Sequence, residues 1–538
     1  LSSMNFKSLN FLLRYFSAFS FFMFVFEACQ SNTQEIELPN IIVVLADDLG
    51  YGDLSIYVKD NKIKTPNLDQ MARGGLRFTD AHTPASVCTP TQYGLLTGRY
   101  NWRTSLKQGV LTGKSKALIP SNRTTIASLL KRKSYQTAFI GKWHLGWDWA
   151  LKDDELEADG EGWNPEDFKN LDFSKPVKNG PNTLGFDYSF GHSGSLDMAP
   201  YVYVENGVPT SVPNTFTVNN GVFSWWREGP TAPDFIHEEV TPNYFKRGIK
   251  YIKNNARKEK PFFLYLALPS PHTPILPTKE WQGKSQLNPY GDFTMMIDNY
   301  MGKLLKKLDE LKIKDNTLVI FTSDNGCSPA AKIDEMQQKG HFPSGQYRGH
   351  KADIFEGGHR VPFIVRWPNK IAKATTSDDT ICLTDLMATF ADILSIELED
   401  NEAEDSYSLL SIFEQKNNSS SLREATVHHS INGSFALRKG DWKLIMAPGS
   451  GGWSYPTPQE INKIGNLPPI QLYNLKNDFG ETKNLEGQFP KKVLELQELL
   501  NHYIVNGRST QGKNQKNDSI AFNWLQFKSI KQQFERIN

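Results

Sequence analysis

Cysteine is scarce in this sequence, which has four in 538 residues, at positions 29, 88, 327 and 382. So few cysteines in so long a chain exclude a small disulfide-stabilised scaffold. Cys327 and Cys382 could pair, but we expect two buried thiols. Neither charge is in excess, since the chain has 60 Lys and Arg residues and 59 Asp and Glu residues. This balance excludes a polybasic nucleic-acid-binding protein.

Long hydrophobic runs are missing beyond the N-terminal region. The one candidate spans residues 16–26, follows two basic residues, and has the length of a signal-peptide core rather than of a membrane span. Ala28 and Cys29 follow it and resemble a bacterial lipoprotein box, in which Glu27 is unusual. We therefore expect residues 1–29 to be a signal peptide with lipidated Cys29 as the first mature residue. The protein would be exported to the periplasm, outer membrane or cell surface and touch a membrane only through its lipid; ordinary cleavage and soluble secretion is the alternative.

Two predicted strands end in oxygen-bearing side chains. The apolar, β-branched run over residues 40–46 predicts a buried parallel strand, and the run over residues 317–322 predicts another. Ligands bind at the carboxyl ends of strands in open α/β sheets, and adjacent carboxylates there need a positive partner. Although a solvated turn is the alternative, the set suits a hard cation such as Ca²⁺ or Mg²⁺. The four candidate ligands are Asp47, Asp48, Asp324 and Asn325.

Cys88 stands ahead of a run of small and apolar residues that Gly98 and Arg99 close. This pattern predicts a nucleophile just before a helix, whose first-turn N–H groups can hold an anion. A buried, inert cysteine at a strand–helix corner is the alternative.

Further polar residues follow predicted strands. Lys142 and His144 alternate between two glycines, so an extended backbone would point both side chains to one face. His272 lies between prolines at the end of another apolar run. Exposed loop residues and a structural histidine are the respective alternatives.

Together these segments resemble the signatures of the sulfatase family. Residues 88–99 match Cys/Ser-x-Pro-Ser/Thr-Arg followed by Leu-Thr-Gly-Arg, except that Gln92 stands where the family has Arg. The resemblance covers about residues 40–505. Its other blocks are residues 141–146, Pro271-His272, residues 347–362 with Lys351, and residues 472–485, where Phe479 replaces the usual Pro.

The resemblance implies an α/β fold in two parts. A large α/β/α sandwich with a mixed central sheet would occupy residues 40–395. A smaller C-terminal α+β subdomain, with an antiparallel sheet and a helix, would occupy residues 396–538.

The resemblance also implies a sulfuric ester hydrolase. A formylglycine-generating or anaerobic maturation enzyme would convert Cys88 to formylglycine, whose hydrated aldehyde attacks sulfur. Lys142 and Lys351 would neutralise the sulfate, His272 with Lys351 would serve the departing alcohol as general acid, and His144 would deprotonate the second hydroxyl. Cys88 would join the four candidate ligands around the cation. We expect this cation to be Ca²⁺ rather than Mg²⁺. In sulfatases the region of His192 and Asp197 helps to shape the substrate pocket, so these two are candidate substrate contacts.

Three alternatives stay open. A phosphatase or phosphodiesterase of the same superfamily would favour Thr or Ser at position 88 and often two metals. A non-catalytic sulfated-glycan-binding protein would result if Gln92 blocked maturation of Cys88. A structural surface lipoprotein would not need the four metal ligands. Export, the Trp content and the long irregular segment over residues 150–235 favour a sulfated poly- or oligosaccharide as substrate.

The export prediction can be checked with Cys29→Ser. Since a lipid would be the membrane anchor, the substitution should move the protein from membrane to soluble fractions of its own host. A wild-type protein that is already soluble there would contradict the lipoprotein interpretation.

Overall fold

The most apolar runs of the sequence form the middle of one mixed ten-stranded sheet. The computed structural model describes residues 38–153, 163–416 and 422–518, so the predicted signal peptide and Cys29 lie outside it. With strands numbered along the chain, the order across the sheet is β13 (Thr375–Ser377), β2 (Leu76–Phe78), β12 (Phe363–Arg366), β11 (Thr317–Ser323), β1 (Asn40–Asp47), β10 (Phe262–Pro271), β4 (Gln136–Lys142), β5 (Tyr188–His192), β6 (Val204–Glu205) and β7 (Val208–Pro209). The five neighbouring strands β11, β1, β10, β4 and β5 run parallel, and β12 is antiparallel to β11.

Smaller sheets surround this one. β3 (Ala81–His82) pairs with β14 (Ile381–Cys382), and β8 (Thr215–Asn219) forms a hairpin with β9 (Trp226–Thr231). A separate antiparallel sheet consists of β15 (Thr426–His429), β16 (Phe435–Lys439), β17 (Trp442–Ile445) and β18 (Gln471–Asn474).

Helices cover both faces of the central sheet. Leu264 and Leu266 of β10 lie against Gly248, whereas Phe263 contacts Phe390, and alternate residues of a strand point to opposite faces. The predicted α/β/α sandwich with a small C-terminal sheet is therefore confirmed. The helices are α1 (Pro66–Arg73), α2 (Cys88–Thr97), α3 (Ile126–Lys131), α4 (Val240–Asn255), α5 (Pro289–Glu310), α6 (Ile333–Gln338), α7 (Glu356–His359), α8 (Leu386–Ile393), α9 (Leu410–Phe413), α10 (Pro458–Ile464) and α11 (Pro490–Val505). None of these described helices has the length and apolar character needed to cross a bilayer.

The small sheet packs on both of its faces. One face shares a core with α11 and with Trp102, and the other packs against Ile354 and Phe355, just after the predicted site residue Lys351. A buried ion cluster adds to this second contact, since Lys443 Nζ on β17 lies 3.1 Å from Glu356 Oε1. The C-terminal sheet thus supports the segment that carries Lys351.

Cys327 and Cys382 are buried free thiols, as expected, and Cys88 is a buried free thiol as well. The boundary predicted at residue 396 stays a prediction, although the four strands of the small sheet all follow it.

Candidate active site

The carboxyl ends of β1 and β11 bring the four predicted metal ligands together. The two strands are paired in parallel, so Asp48 and Asp324 leave the sheet side by side. The Asp48 amide donates a hydrogen bond to Asp324 Oδ1 at 3.1 Å, and Asn325 Nδ2 donates one to Asp48 Oδ1 at 2.7 Å. Asp48 has a left-handed backbone, with φ of 62°, a conformation that Asp tolerates better than most residues.

Two lysines supply positive charge to this cluster. Lys142 Nζ lies 2.7 Å from Asp47 Oδ2, and Lys351 Nζ lies 2.6 Å from Asp48 Oδ1. Burial by itself would raise the pKa of Asp47, but Lys142 and the more distant His272 and Lys351 hold that pKa well below its usual value. Burial by itself would lower the lysine pKa values, yet the facing carboxylates raise both above the usual range. Asp47 and both lysines are therefore charged.

The residues present fit a hard divalent cation. Three buried oxygens of the cluster, Asp48 Oδ2, Asp324 Oδ2 and Asn325 Oδ1, have no hydrogen-bond partner among the residues that the structure describes. Burial, and next the charge of Asp47, raise the pKa of Asp324 well above its usual value. Buried polar atoms rarely stay unpaired, and carboxylate and amide oxygens are the ligands that Ca²⁺ and Mg²⁺ prefer. A cation among these oxygens would remove both the unpaired atoms and the repulsion.

Cys88 faces the same cluster from the first residue of α2, as predicted. Its Sγ lies 3.8 Å from Asp47 Oδ1 and 3.6 Å from Lys351 Nζ. Burial raises the pKa of the thiol well above its usual range, even though Lys142 and Lys351 oppose this. Because the thiolate is the reactive form of cysteine, this side chain is poorly suited to act as a nucleophile in unmodified form.

His144 presents one open ring nitrogen. Its Nε2 lies 2.8 Å from the Leu111 carbonyl oxygen and must donate to it, so Nδ1 carries the lone pair. Nδ1 is buried, and no described residue provides it with a hydrogen-bond partner. Burial, and next the charge of Lys142, lower the pKa of His144 well below its usual value. The side chain is thus a neutral imidazole with a free acceptor.

His272 lies close to both the carboxylate cluster and Asp197. Its Nε2 lies 3.7 Å from Asp48 Oδ2 and its Nδ1 lies 3.9 Å from Asp197 Oδ1. The Thr273 carbonyl oxygen also accepts a hydrogen bond from Nδ1. This arrangement leaves Nε2 directed towards the carboxylate cluster.

One cavity of about 500 Å³ opens onto Cys88, His144, His272 and Lys351. Of the two predicted substrate contacts, Asp197 lines this cavity, whereas His192 does not. His192 pairs in register with Lys142 on the neighbouring strand, and its ring stacks on and hydrogen-bonds to Tyr244. It therefore lies behind the cavity wall.

The cavity wall also contains residues that the sequence did not single out as site residues, with one partial exception. Trp225, one of the tryptophans whose number suggested a carbohydrate substrate, lines the cavity with 36% of its surface exposed. Trp163, Trp453 and Arg227 line it as well, and no pattern in the sequence marks them. They come from segments far apart along the chain, which only the fold brings together.

Gln92 lies one helical turn after Cys88 and is buried, with 2% of its surface exposed. Its Oε1 has no hydrogen-bond partner in residues 38–153, 163–416 and 422–518. Position 92 therefore holds a neutral side chain with an unpaired acceptor, one helical turn after the candidate nucleophile.

Comparisons with known proteins agree with this geometry. A family model described as Sulfatase matches residues 39–396. An N-acetylgalactosamine-6-O-sulfatase of Bacteroides thetaiotaomicron is 33% identical over 512 residues, which cover 88% of this chain and 94% of that protein. Human arylsulfatase A is 31% identical over 463 residues, or 84% of this chain and 83% of that protein. A solved structure from work on glycosaminoglycan metabolism by Bacteroides thetaiotaomicron has a TM-score of 0.75 at 32% identity, covering 87% of this chain and 99% of that one.

The geometry of His144 predicts its protonation state. In ¹⁵N NMR spectra its ring should be neutral at pH 6, with the proton on Nε2, because burial and Lys142 oppose a second proton. Comparison with the spectrum of His144→Gln assigns the signal. A ring protonated on both nitrogens at pH 6 would contradict this assignment.

Proposed function

This chain belongs to the sulfatase family, and we propose that it removes sulfate from a sulfated carbohydrate by means of formylglycine at position 88 and a divalent cation. The observation that carries the proposal is that Cys88 begins a helix in one cavity with the carboxylate–lysine cluster, although its raised pKa suits it poorly for direct attack. Conversion to an aldehyde would remove this difficulty, because a hydrated aldehyde offers a hydroxyl in place of the thiol.

A sulfated amino sugar is the first substrate to test. The Bacteroides thetaiotaomicron relative is named for N-acetylgalactosamine 6-sulfate, and the match covers nearly the whole of that protein. We therefore propose poly- or oligosaccharides that contain this residue as the substrate class.

The charges of the cluster match those of a sulfate ester. A sulfate group repels nucleophiles through its oxygens, and Lys142 and Lys351 are charged and fixed in place, so they can stabilise the charge as it develops in the transition state. The cation, when bound, would add further positive charge next to the sulfate oxygens. Lys351 Nζ, at 3.6 Å from Cys88 Sγ, is close enough to contact a group under attack from position 88.

The two histidines suit opposite proton transfers. His144 has the open Nδ1 lone pair that a general base needs, and its buried neutral state keeps that lone pair available. His272, with Nε2 towards the cluster, is placed to protonate the departing alcohol oxygen. Each transfer would contribute roughly 10²–10⁴-fold to the rate.

Gln92 supports a second candidate function. Arg would add a positive charge close to Cys88, whereas Gln keeps hydrogen-bonding capacity without charge. If the maturation enzyme did not accept this change, Cys88 would stay a thiol and the protein would bind sulfated glycans without cleaving them.

Sulfate release distinguishes the two functions. After co-expression with a maturation enzyme, the protein should release sulfate from N-acetylgalactosamine 6-sulfate and its oligosaccharides, and Cys88→Ala should abolish this. Mass spectrometry of the peptide that contains residue 88 should show partial conversion in a foreign host, with a larger converted fraction in Gln92→Arg. A protein that remains entirely a thiol in its own host, and binds the sugars without cleaving them, would instead establish the binding function.

The metal site can be tested without activity. The metal-free protein should bind one Ca²⁺ per chain by calorimetry, and binding should raise the unfolding temperature. Asp324→Asn removes a charged ligand, so it should weaken binding more than the roughly 10–100-fold loss typical of outer-shell partners. Asp298→Asn is a matched control, since Asp298 is equally buried but binds the backbone of α1. Equal affinities for the wild type and Asp324→Asn would contradict the assignment.

A further inference from the structure

Arg227 contacts two tryptophan rings at the cavity wall. Its guanidinium carbon lies 4.0 Å from the centre of the Trp163 ring and 4.7 Å from that of Trp225. The indoles keep 48% and 36% of their surfaces exposed, and all three residues line the cavity that contains Cys88. These cation–π contacts restrict the movement of the guanidinium, whose N–H groups form a rigid planar fork.

Asp197 fixes one edge of this guanidinium. Arg227 Nη1 donates a hydrogen bond to Asp197 Oδ2, while Nε and Nη2 make no hydrogen bond to any residue in the described ranges. Asp197 Oδ1 is buried and lies 3.9 Å from His272 Nδ1, and it has no hydrogen-bond partner within the described part of the chain. The pair therefore combines open donors with an unused acceptor, next to the candidate general acid.

This combination matches a sugar ring better than a second anion. Neighbouring hydroxyl groups each donate and accept, so they can bind the Arg227 edge and Asp197 Oδ1 together. The charge of Arg227 is already balanced by Asp197 and by the electron-rich ring faces. Trp163 and Trp225 also expose flat aromatic surface, which carbohydrate rings can cover.

We propose that Asp197, Arg227, Trp163 and Trp225 form a subsite that binds hydroxyl groups of the sugar ring carrying the sulfate. This inference rests on the proposed carbohydrate sulfatase function. It places specificity for the sugar in the irregular region of the chain and in the hairpin strand β9, apart from the segments that bind the sulfate.

Arg247 offers a matched control. Its guanidinium lies 3.5 Å from the centre of the Phe190 ring and pairs with Glu205 at 3.1 Å, and its side chain is 32% exposed, compared with 30% for Arg227. Arg247 does not line the cavity. The two arginines thus have similar local contacts and differ in their access to substrate.

The test compares a sulfated sugar with an aryl sulfate that has no sugar hydroxyls. Arg227→Met should lower the ratio of kcat/KM for N-acetylgalactosamine 6-sulfate over 4-nitrophenyl sulfate about 10- to 100-fold, because it leaves substrate hydroxyls and Asp197 unpaired. Arg227→Lys should show most of this loss, since Lys keeps the charge but lacks the planar fork. Arg247→Met should leave the ratio at the wild-type value. In a Cys88→Ala background, calorimetry should show the same loss of sugar affinity without turnover.

The remaining outcomes separate the two proposals. If the wild type cleaves the aryl sulfate and no sulfated sugar, the proposed function and the subsite are both wrong. If the sugar is cleaved but Arg227→Met lowers kcat/KM equally for both substrates, only the subsite proposal is wrong. If Arg227→Met affects only oligosaccharides with a uronic-acid carboxylate beside the sulfated residue, Arg227 binds an anion and the hydroxyl subsite is wrong.

Discussion

The structure depends on the neutralisation of three carboxylates buried at the ends of two adjacent strands. Asp47, Asp48 and Asp324 are each about 1% exposed. Buried charges of one sign cost several kcal/mol each unless partners compensate them, and removing one partner of a buried pair typically costs about 3–5 kcal/mol. Lys142 and Lys351 provide two partners, and the unpaired oxygens of the cluster leave a place for a cation. The same arrangement that keeps the strand ends folded is suited to hold a sulfate group.

This requirement extends to parts of the chain far from the central sheet. Lys142 ends β4 and is thus fixed by the sheet itself. Lys351 comes from a loop, and the packing of Ile354 and Phe355 against the C-terminal sheet holds that loop in place. Lys443, which pairs with Glu356 and with Glu481 at 2.8 Å, strengthens the same contact. The small sheet therefore supports the loop that carries Lys351, although none of its four strands lines the cavity that contains Cys88.

Local backbone conformation is also adjusted at the site. Asp48 and His144 both have positive φ angles, of 62° and 48°, in a region that most residues other than glycine avoid. Such conformations cost about 1–3 kcal/mol each and persist only where surrounding contacts hold them. At His144 the contact is the hydrogen bond to Leu111, and at Asp48 it is the bond from its amide to Asp324. The first contact also orients the His144 ring, and the second holds the Asp324 carboxyl group beside Asp48.

The sequence by itself determined the buried strands β1 and β11, their polar ends and the position of Cys88 at the start of a helix, because these depend on local periodicity and on residues adjacent in the chain. It also indicated the convergence of Asp48 and Asp324, since parallel strands end at one edge of a sheet. Only the tertiary structure decided that His192 lies behind the cavity wall and that Arg227 contacts the rings of both Trp163 and Trp225. These contacts join segments without regular periodicity, so no spacing in the sequence encodes them. Their geometry is set by the packing of the irregular region against the sheet, and this packing determines which side chains face the substrate.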